Sequence, residues 1–362
     1  MDEKSSQRNQ SLDVLRVVMM LFIVTHHCIV SGLGLNDLMN QVGAFVLDSK
    51  TIILQMMNSF VVIAVNVYFL ISGYFGIKLK FEKIIRLYVQ IAFYAITIYI
   101  LLSVLGIVKL SFGGIIRYSI VSCEMYWYMI VYFALMIISP ALNKLADAWS
   151  DDTGAFLGFL MLLSVLICGY GFVTENRYIG TNQGYSLLNA AYLYLWGRFI
   201  KKRGKIFSKP STHFLEYGIC GFLNGGGVLI LCVIGKNIAA WKLYSYNNPV
   251  LVLESLCVFC AFINIKGEGK VFRCISKLSP YTLGVYLIHS MPLLIPYRFL
   301  FLDRFLVDAH WIIYLFAVIL YSTVLFFICI FIEFLRCKFF EYAKIDHTIS
   351  LVSMKVKKLL KK

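Results

Sequence analysis

The chain has 362 residues, 60% of them hydrophobic and 15% charged, with a formal net charge of +15. A soluble protein of this length needs far more polar surface to face water. Its basic residues sit in short segments between apolar runs, so the charge is read as membrane orientation and no nucleic-acid partner is expected. Anionic lipid headgroups and anionic cofactors are the partners that such a charge suits.

The apolar runs are roughly 18–24 residues long, enough to cross a hydrocarbon core of about 30 Å. They predict an all-α polytopic membrane protein with ten spans, near 12–32, 52–74, 86–106, 124–142, 155–174, 184–200, 215–235, 249–265, 279–301 and 310–334. Backbone groups in lipid must be satisfied within their own segment, which selects helices. A membrane barrel would show short alternating stretches instead. With the N-terminus inside, the inner segments carry 24 Lys and Arg residues against eight outside, so both termini are expected in the cytoplasm. Residues 1–340 read as one membrane domain and 341–362 as a basic cytoplasmic tail. The first run ends in Thr25-His26-His27-Cys28 without a small-residue cleavage site, so it is expected to stay as an anchor. Most cysteines, including the Cys257/Cys260 pair, lie inside apolar runs, where Cys acts as a small hydrophobe; no metal site is expected.

The first span carries the densest chemistry. Asp13, Arg16, His26 and His27 are costly in lipid and are candidates for function on that ground. Eleven residues advance a helix by three turns plus about 20°, so Arg16 and His27 share one face, about 16 Å apart along the axis. His26 points about 80° away from that line. Asp13 is three residues before Arg16 and close enough to pair with it. Arg16 can snorkel to the inner headgroups, and His27 can be a packing residue. A neutral imidazole this deep in a span is also the usual general base near neutral pH.

Further along, Lys78, Lys80, Lys83 and Arg86 form a basic cluster after the second span. It suits either lipid headgroups or phosphates. Glu124 and Trp127 begin the fourth span, an acid beside an aromatic ring, which suits a sugar but also any membrane interface. Glu254 lies inside the eighth span with no obvious local partner, either to hold a basic residue or to help position an acceptor. Gly225-Gly226-Gly227 follows no strand and reads as close helix packing or a bend.

The order of these features resembles acyltransferase family 3 of bacterial membrane proteins. The resemblance rests on Leu15-Arg16-x10-His27 after Leu12-Asp13, on Tyr68-Phe69-Leu70-Ile71-Ser72-Gly73-Tyr74, and on Lys83-Ile84-Ile85-Arg86-Leu87-Tyr88. It continues with Tyr126-Trp127-Tyr128, Ser139-Pro140-Ala141-Leu142 and the stretch from Ser279 to His289, and so covers nearly the whole chain. The basic loop departs from the pattern, with Lys83 where Arg is common and Tyr88 where Pro is common.

The resemblance implies O-acyl transfer, with acetyl-CoA as donor and a hydroxyl of a cell-surface or exported glycan or glycolipid as acceptor, in the bacterial plasma membrane. It implies His27 as the reacting group, either as base or as an acyl-carrying nucleophile, with Arg16 and Asp13 supporting it. Lys83, Arg86, Ser72 and Tyr74 are then expected at the donor, with Ser72, Tyr74 or Asn66 as oxyanion donors. Glu124, Trp127, Glu254 and His289 are expected on the acceptor side. A transporter or flippase for a polar lipid or saccharide stays open as an alternative, although no paired broken helices point to it. A receptor or assembly protein without chemistry is a third reading. The acceptor's identity and the oligomeric state are not legible.

Overall fold

The computed structural model describes residues 9–40, 48–120, 126–175, 179–204, 209–295 and 310–359. Within them every regular element is helical. The helices that matter below are α1 (Gln10–His27), α2 (Ser49–Val61), α3 (Ala64–Phe75), α4 (Phe81–Val104) and α5 (Trp127–Ala148). They are followed by α6 (Thr153–Ser164), α7 (Leu187–Arg203), α8 (Pro210–Val233), α9 (Pro249–Asn264), α10 (Thr282–His289), α11 (Trp311–Tyr342) and α12 (Ile345–Leu359).

Seven helical segments are long and apolar enough to cross a membrane: Gln10–Gly32, Ser49–Phe75, Phe81–Val104, Trp127–Ala148, Thr153–Thr174, Pro210–Val233 and Trp311–Tyr342. They coincide with the first five, the seventh and the tenth predicted spans. The other three are shorter: α7 has 17 residues, α9 has 16 and α10 has 8. The ninth shows the physical reason. Its apolar run continues past His289, but the α-helix ends there, and Pro292, which has no N–H to donate, opens a single 3-10 turn. The remainder of that predicted span, from 296, lies outside the described residues.

Among the seven long segments, two are the most buried. The apolar window is 56% buried in Gln10–Gly32 and 67% in Ser49–Phe75, against 28% in Trp311–Tyr342, which turns most of its side chains outward. Its Phe316, Leu320, Phe327 and Phe331 are exposed, the lipid-facing pattern of a peripheral helix. Asn9 caps α1 by accepting from the Leu12 N–H, and Asp13 in the first turn favours the positive helix end. From that start α1 packs against α2, α3, α9, α10 and α11.

Small residues set the tightest crossings. On α3, a Cβ at Gly73 would collide with the Tyr194 carbonyl of α7; on α7, a Cβ at Gly197 would collide with the Leu70 carbonyl of α3. The two backbones touch, which is how membrane helices gain contact where lipid removes the hydrophobic drive. The glycine run of α8 behaves as expected for close packing: Gly225 abuts Met56 of α2, while Gly226 faces open space. The tail is more ordered than a basic tail need be. Helix α12 lies against the start of α4, joined by Arg86–Asp346 at 2.5 Å and Ser350–Glu82 at 2.9 Å.

Gly197→Val is expected to cost at least the about 1–3 kcal/mol of ordinary overpacking, because the obstacle is backbone and cannot turn aside. Gly226→Ala should be neutral or gain up to about 1 kcal/mol from helix propensity. Thermal unfolding in detergent checks both, and equal melting temperatures for the two variants would contradict the crossing described.

Candidate active site

A cavity of about 880 Å³ runs along α1. It is walled by α1, α3, α5 and the start of α10, and it joins two chemically different ends. At one end Arg16, Lys78 and Lys83 reach it, beside Asp13 and Ser279. At the other stand His26, His27 and Trp127. Between them lies an aromatic wall built from Tyr68, Tyr128, Tyr132 and Tyr286. Tyr128 stacks on Tyr132 with centroids 5.9 Å apart and meets Tyr286 at 5.8 Å.

The basic end is held by a buried carboxylate. Asp13 Oδ1 accepts from Arg16 Nη1 at 2.7 Å and from Ser279 Oγ at 3.0 Å. Asp13 is 5% exposed, so its charge needs both donors. The guanidinium also lies over the Phe75 ring, 4.9 Å from its centroid. The Tyr68 hydroxyl donates to the Arg16 carbonyl at 2.7 Å, which ties α3 to α1 at the same level. Arg16 and His27 therefore line the same cavity, in keeping with the shared face that the eleven-residue spacing predicts.

At the histidine end, α1 changes form. Regular α-helix stops at His27, and Cys28–Gly32 continues as a π-turn, with the Leu33 N–H reaching the Cys28 carbonyl at 2.9 Å. Such turns recur at functional sites. His27 Nδ1 lies 3.0 Å from His289 Nε2 and 3.5 Å from Ser290 Oγ. His26 Nδ1 lies 2.6 Å from Asn58 Oδ1 on α2.

The residues nominated from sequence divide as follows. Asp13, Arg16, His27, Ser72, Lys83 and Trp127 line the one cavity. His289 touches His27 from behind, buried at 2% exposure, and does not line the cavity. Ser72 Oγ donates to the Tyr68 carbonyl at 2.8 Å. Tyr74 points elsewhere, with the Lys201 ammonium 4.7 Å over its ring and Phe259 at 5.8 Å. Asn66 is buried behind the wall and donates to the Tyr246 carbonyl at 2.9 Å. Arg86 is turned to Glu82 and Asp346 on the exposed side of α4. Glu254 is fully buried between α9 and α8, near Tyr217 and Cys220, and does not reach the cavity. Glu124 lies outside the described residues.

Sequence reasoning missed some of the lining. His26 also reaches the cavity, although the wheel turned it about 80° away, because the cavity wraps around more than one stripe of α1. The i,i+4 spacing of Tyr128 and Tyr132 was a usable signal for the aromatic wall, since such pairs share a helix face.

Removing one member of the Asp13–Arg16 pair should hurt more than removing both. Asp13→Ala is expected to destabilise, by less than the about 3–5 kcal/mol of a fully buried pair, since the Arg16 side chain keeps 29% of its surface. Asp13→Leu with Arg16→Met should recover most of that loss, and thermal unfolding of the single and double variants is the check.

The family model of the acyltransferase domain matches residues 9–332, nearly the whole chain. No curated protein and no solved structure is similar enough to count as a match. The match begins at the cap of α1 and runs into α11, so it contains every cavity-lining residue named above. With its membrane-crossing helices, the chain is a multi-pass membrane acyltransferase, and it belongs to acyltransferase family 3.

Proposed function

We propose that the protein is an O-acetyltransferase that takes its acyl group from acetyl-CoA on the cytoplasmic side and passes it to a hydroxyl of a cell-surface or exported glycan or glycolipid. The observation that carries this reading is that one cavity connects a cluster of three cations with a pair of imidazoles. Coenzyme A is polyanionic and is made in the cytoplasm. Arg16, Lys78 and Lys83 are charged donors suited to its phosphates, and the tyrosine wall suits the thin pantetheine arm. The surplus of basic residues in alternate segments supports ten spans with both termini inside, α7 and α9 serving as shorter ones, in the bacterial plasma membrane.

In this reading His27 removes the proton from the attacking hydroxyl. The oxygen forms a bond to the thioester carbonyl carbon, the carbon–sulfur bond breaks, and His27 returns the proton to the departing thiolate. Ser72 can turn its hydroxyl from the Tyr68 carbonyl toward the developing oxyanion. Trp127 offers a ring face to the sugar at the histidine end. The Asp13 pair keeps Arg16 aimed into the cavity. No observation favours transport over transfer.

His27→Ala should lower turnover about 10²–10⁴-fold, the usual contribution of a positioned proton acceptor, while the protein still accumulates in the membrane. Mass spectrometry of surface glycans then shows the ester lost, and a full ester content would sink the assignment. The two basic residues of α4 should separate. Lys83→Ala is expected to raise the KM for acetyl-CoA roughly tenfold or more, the cost of one hydrogen bond to a charged group. Arg86→Ala should move it less than about threefold, as a partner of surface carboxylates would. Acetyl transfer measured in isolated membranes distinguishes them, and equal shifts would contradict the cavity as the donor site.

A further inference from the structure

We propose that His289 is a positioning residue that holds His27 in its Nδ1–H tautomer and so makes Nε2 of His27 the nitrogen that reacts. The proposal rests on the reading of His27 as the proton acceptor and adds which of its two nitrogens acts, and why.

A backbone carbonyl fixes the first hydrogen. His289 Nδ1 lies 2.6 Å from the carbonyl oxygen of Val285, one turn earlier on α10. A carbonyl oxygen only accepts, so Nδ1 must carry the hydrogen. In a neutral ring the other nitrogen then holds a lone pair. That nitrogen, Nε2, lies 3.0 Å from His27 Nδ1. A hydrogen bond at this distance needs one hydrogen, and a neutral His289 has none to give at Nε2. His27 Nδ1 must therefore donate, which leaves the lone pair of neutral His27 on Nε2.

Ser290 does not reverse this order. Its Oγ lies 3.3 Å from His289 Nε2 and 3.5 Å from His27 Nδ1. The hydroxyl can add a second donor to the His289 lone pair, and it is a weak partner for His27 at that distance. Rotation of the His289 ring is resisted by burial, at 2% exposure, and by Tyr286, whose ring centroid is 6.3 Å away. Elsewhere the partner that fixes an imidazole tautomer is commonly a carboxylate. Here the orienting group is an imidazole whose Nδ1 hydrogen is held by the backbone.

The hydroxyl proton moves to His27 Nε2 as the oxygen attacks, and the same nitrogen returns it to the thiolate. The Nδ1 hydrogen is not consumed. While His27 is cationic, the His289 lone pair faces the Nδ1–H and shares the positive charge, with the Val285 carbonyl behind it.

Two measurements test this. The first is ¹⁵N solid-state NMR of the full chain in bilayers with labelled histidine, the His27 signals assigned by difference against His27→Gln. Nδ1–H with an unprotonated Nε2 is expected in the wild type, and the reverse tautomer would overturn the proposal. This readout needs no activity, so it stands or falls apart from the acetyltransferase reading. The second compares His289→Gln with His289→Leu in the transfer assay. The Gln carbonyl can accept from His27 Nδ1, so that variant should keep turnover within about tenfold. Leu cannot accept, and turnover should fall about 10²-fold or more with the KM for acetyl-CoA unchanged. Full activity in His289→Leu, or equal losses in both variants with donor affinity intact, would overturn the assignment. If neither variant accumulates, the wild-type spectrum decides.

Discussion

A charge or an imidazole on a membrane helix has to find its partners inside the protein, because lipid offers none. Helix α1 carries four such side chains, Asp13, Arg16, His26 and His27, and the rest of the architecture answers that demand. Ser279 comes from the turn before α10, Asn58 from α2, His289 from the end of α10, and the Phe75 ring from α3. Elements bringing partners to one helix must surround it, so the most polar span is also a central one. The cavity is a consequence of the same demand. Arg16 and both histidines keep part of their surface open to a shared space instead of being closed in by packing.

Much of this was legible from the chain alone. Spacing of eleven put Arg16 and His27 on one face, and the same face lines the cavity. Spacing of three put Asp13 beside Arg16, and they pair at 2.7 Å. Long apolar runs marked the seven long helices. What could not be read depends on segments far apart in sequence. His289 was expected near an acceptor, yet its ring lies against a residue 262 positions away, behind the cavity. Arg86 looked equivalent to Lys83, three residues earlier. Nothing local says that Asp346 on α12 will claim it. Glu254 looked like a site residue because a carboxylate in a span is costly, but that cost is the same in a packed helix contact as in a pocket. Composition also gave no sign of the break after His289 in the ninth predicted span. An apolar run says nothing of where Pro292 will break the hydrogen-bond ladder.

The basic segment after α3 divides its work by direction. Lys78 and Lys83 enter the cavity, while Arg86 clamps α12 to α4. One short stretch thus supplies both cavity cations and the attachment of the final helix. Exposed ion pairs contribute little to stability, so the clamp matters more for where α12 lies than for how firmly the protein folds.

The two ends of the cavity solve the same problem with opposite electrostatics. At the basic end a carboxylate, Asp13, orients a permanent cation, and each charge has the other as its partner. At the histidine end, among the described residues, the ring beside His27 is another imidazole, His289, with Nδ1 on the Val285 carbonyl. In the proposed tautomer a neutral His289 orients His27 without adding a buried charge. It can still share positive charge when His27 becomes cationic. In the proposed reading, fixed cations stand where an anionic donor is gripped, and paired imidazoles stand where a proton comes and goes.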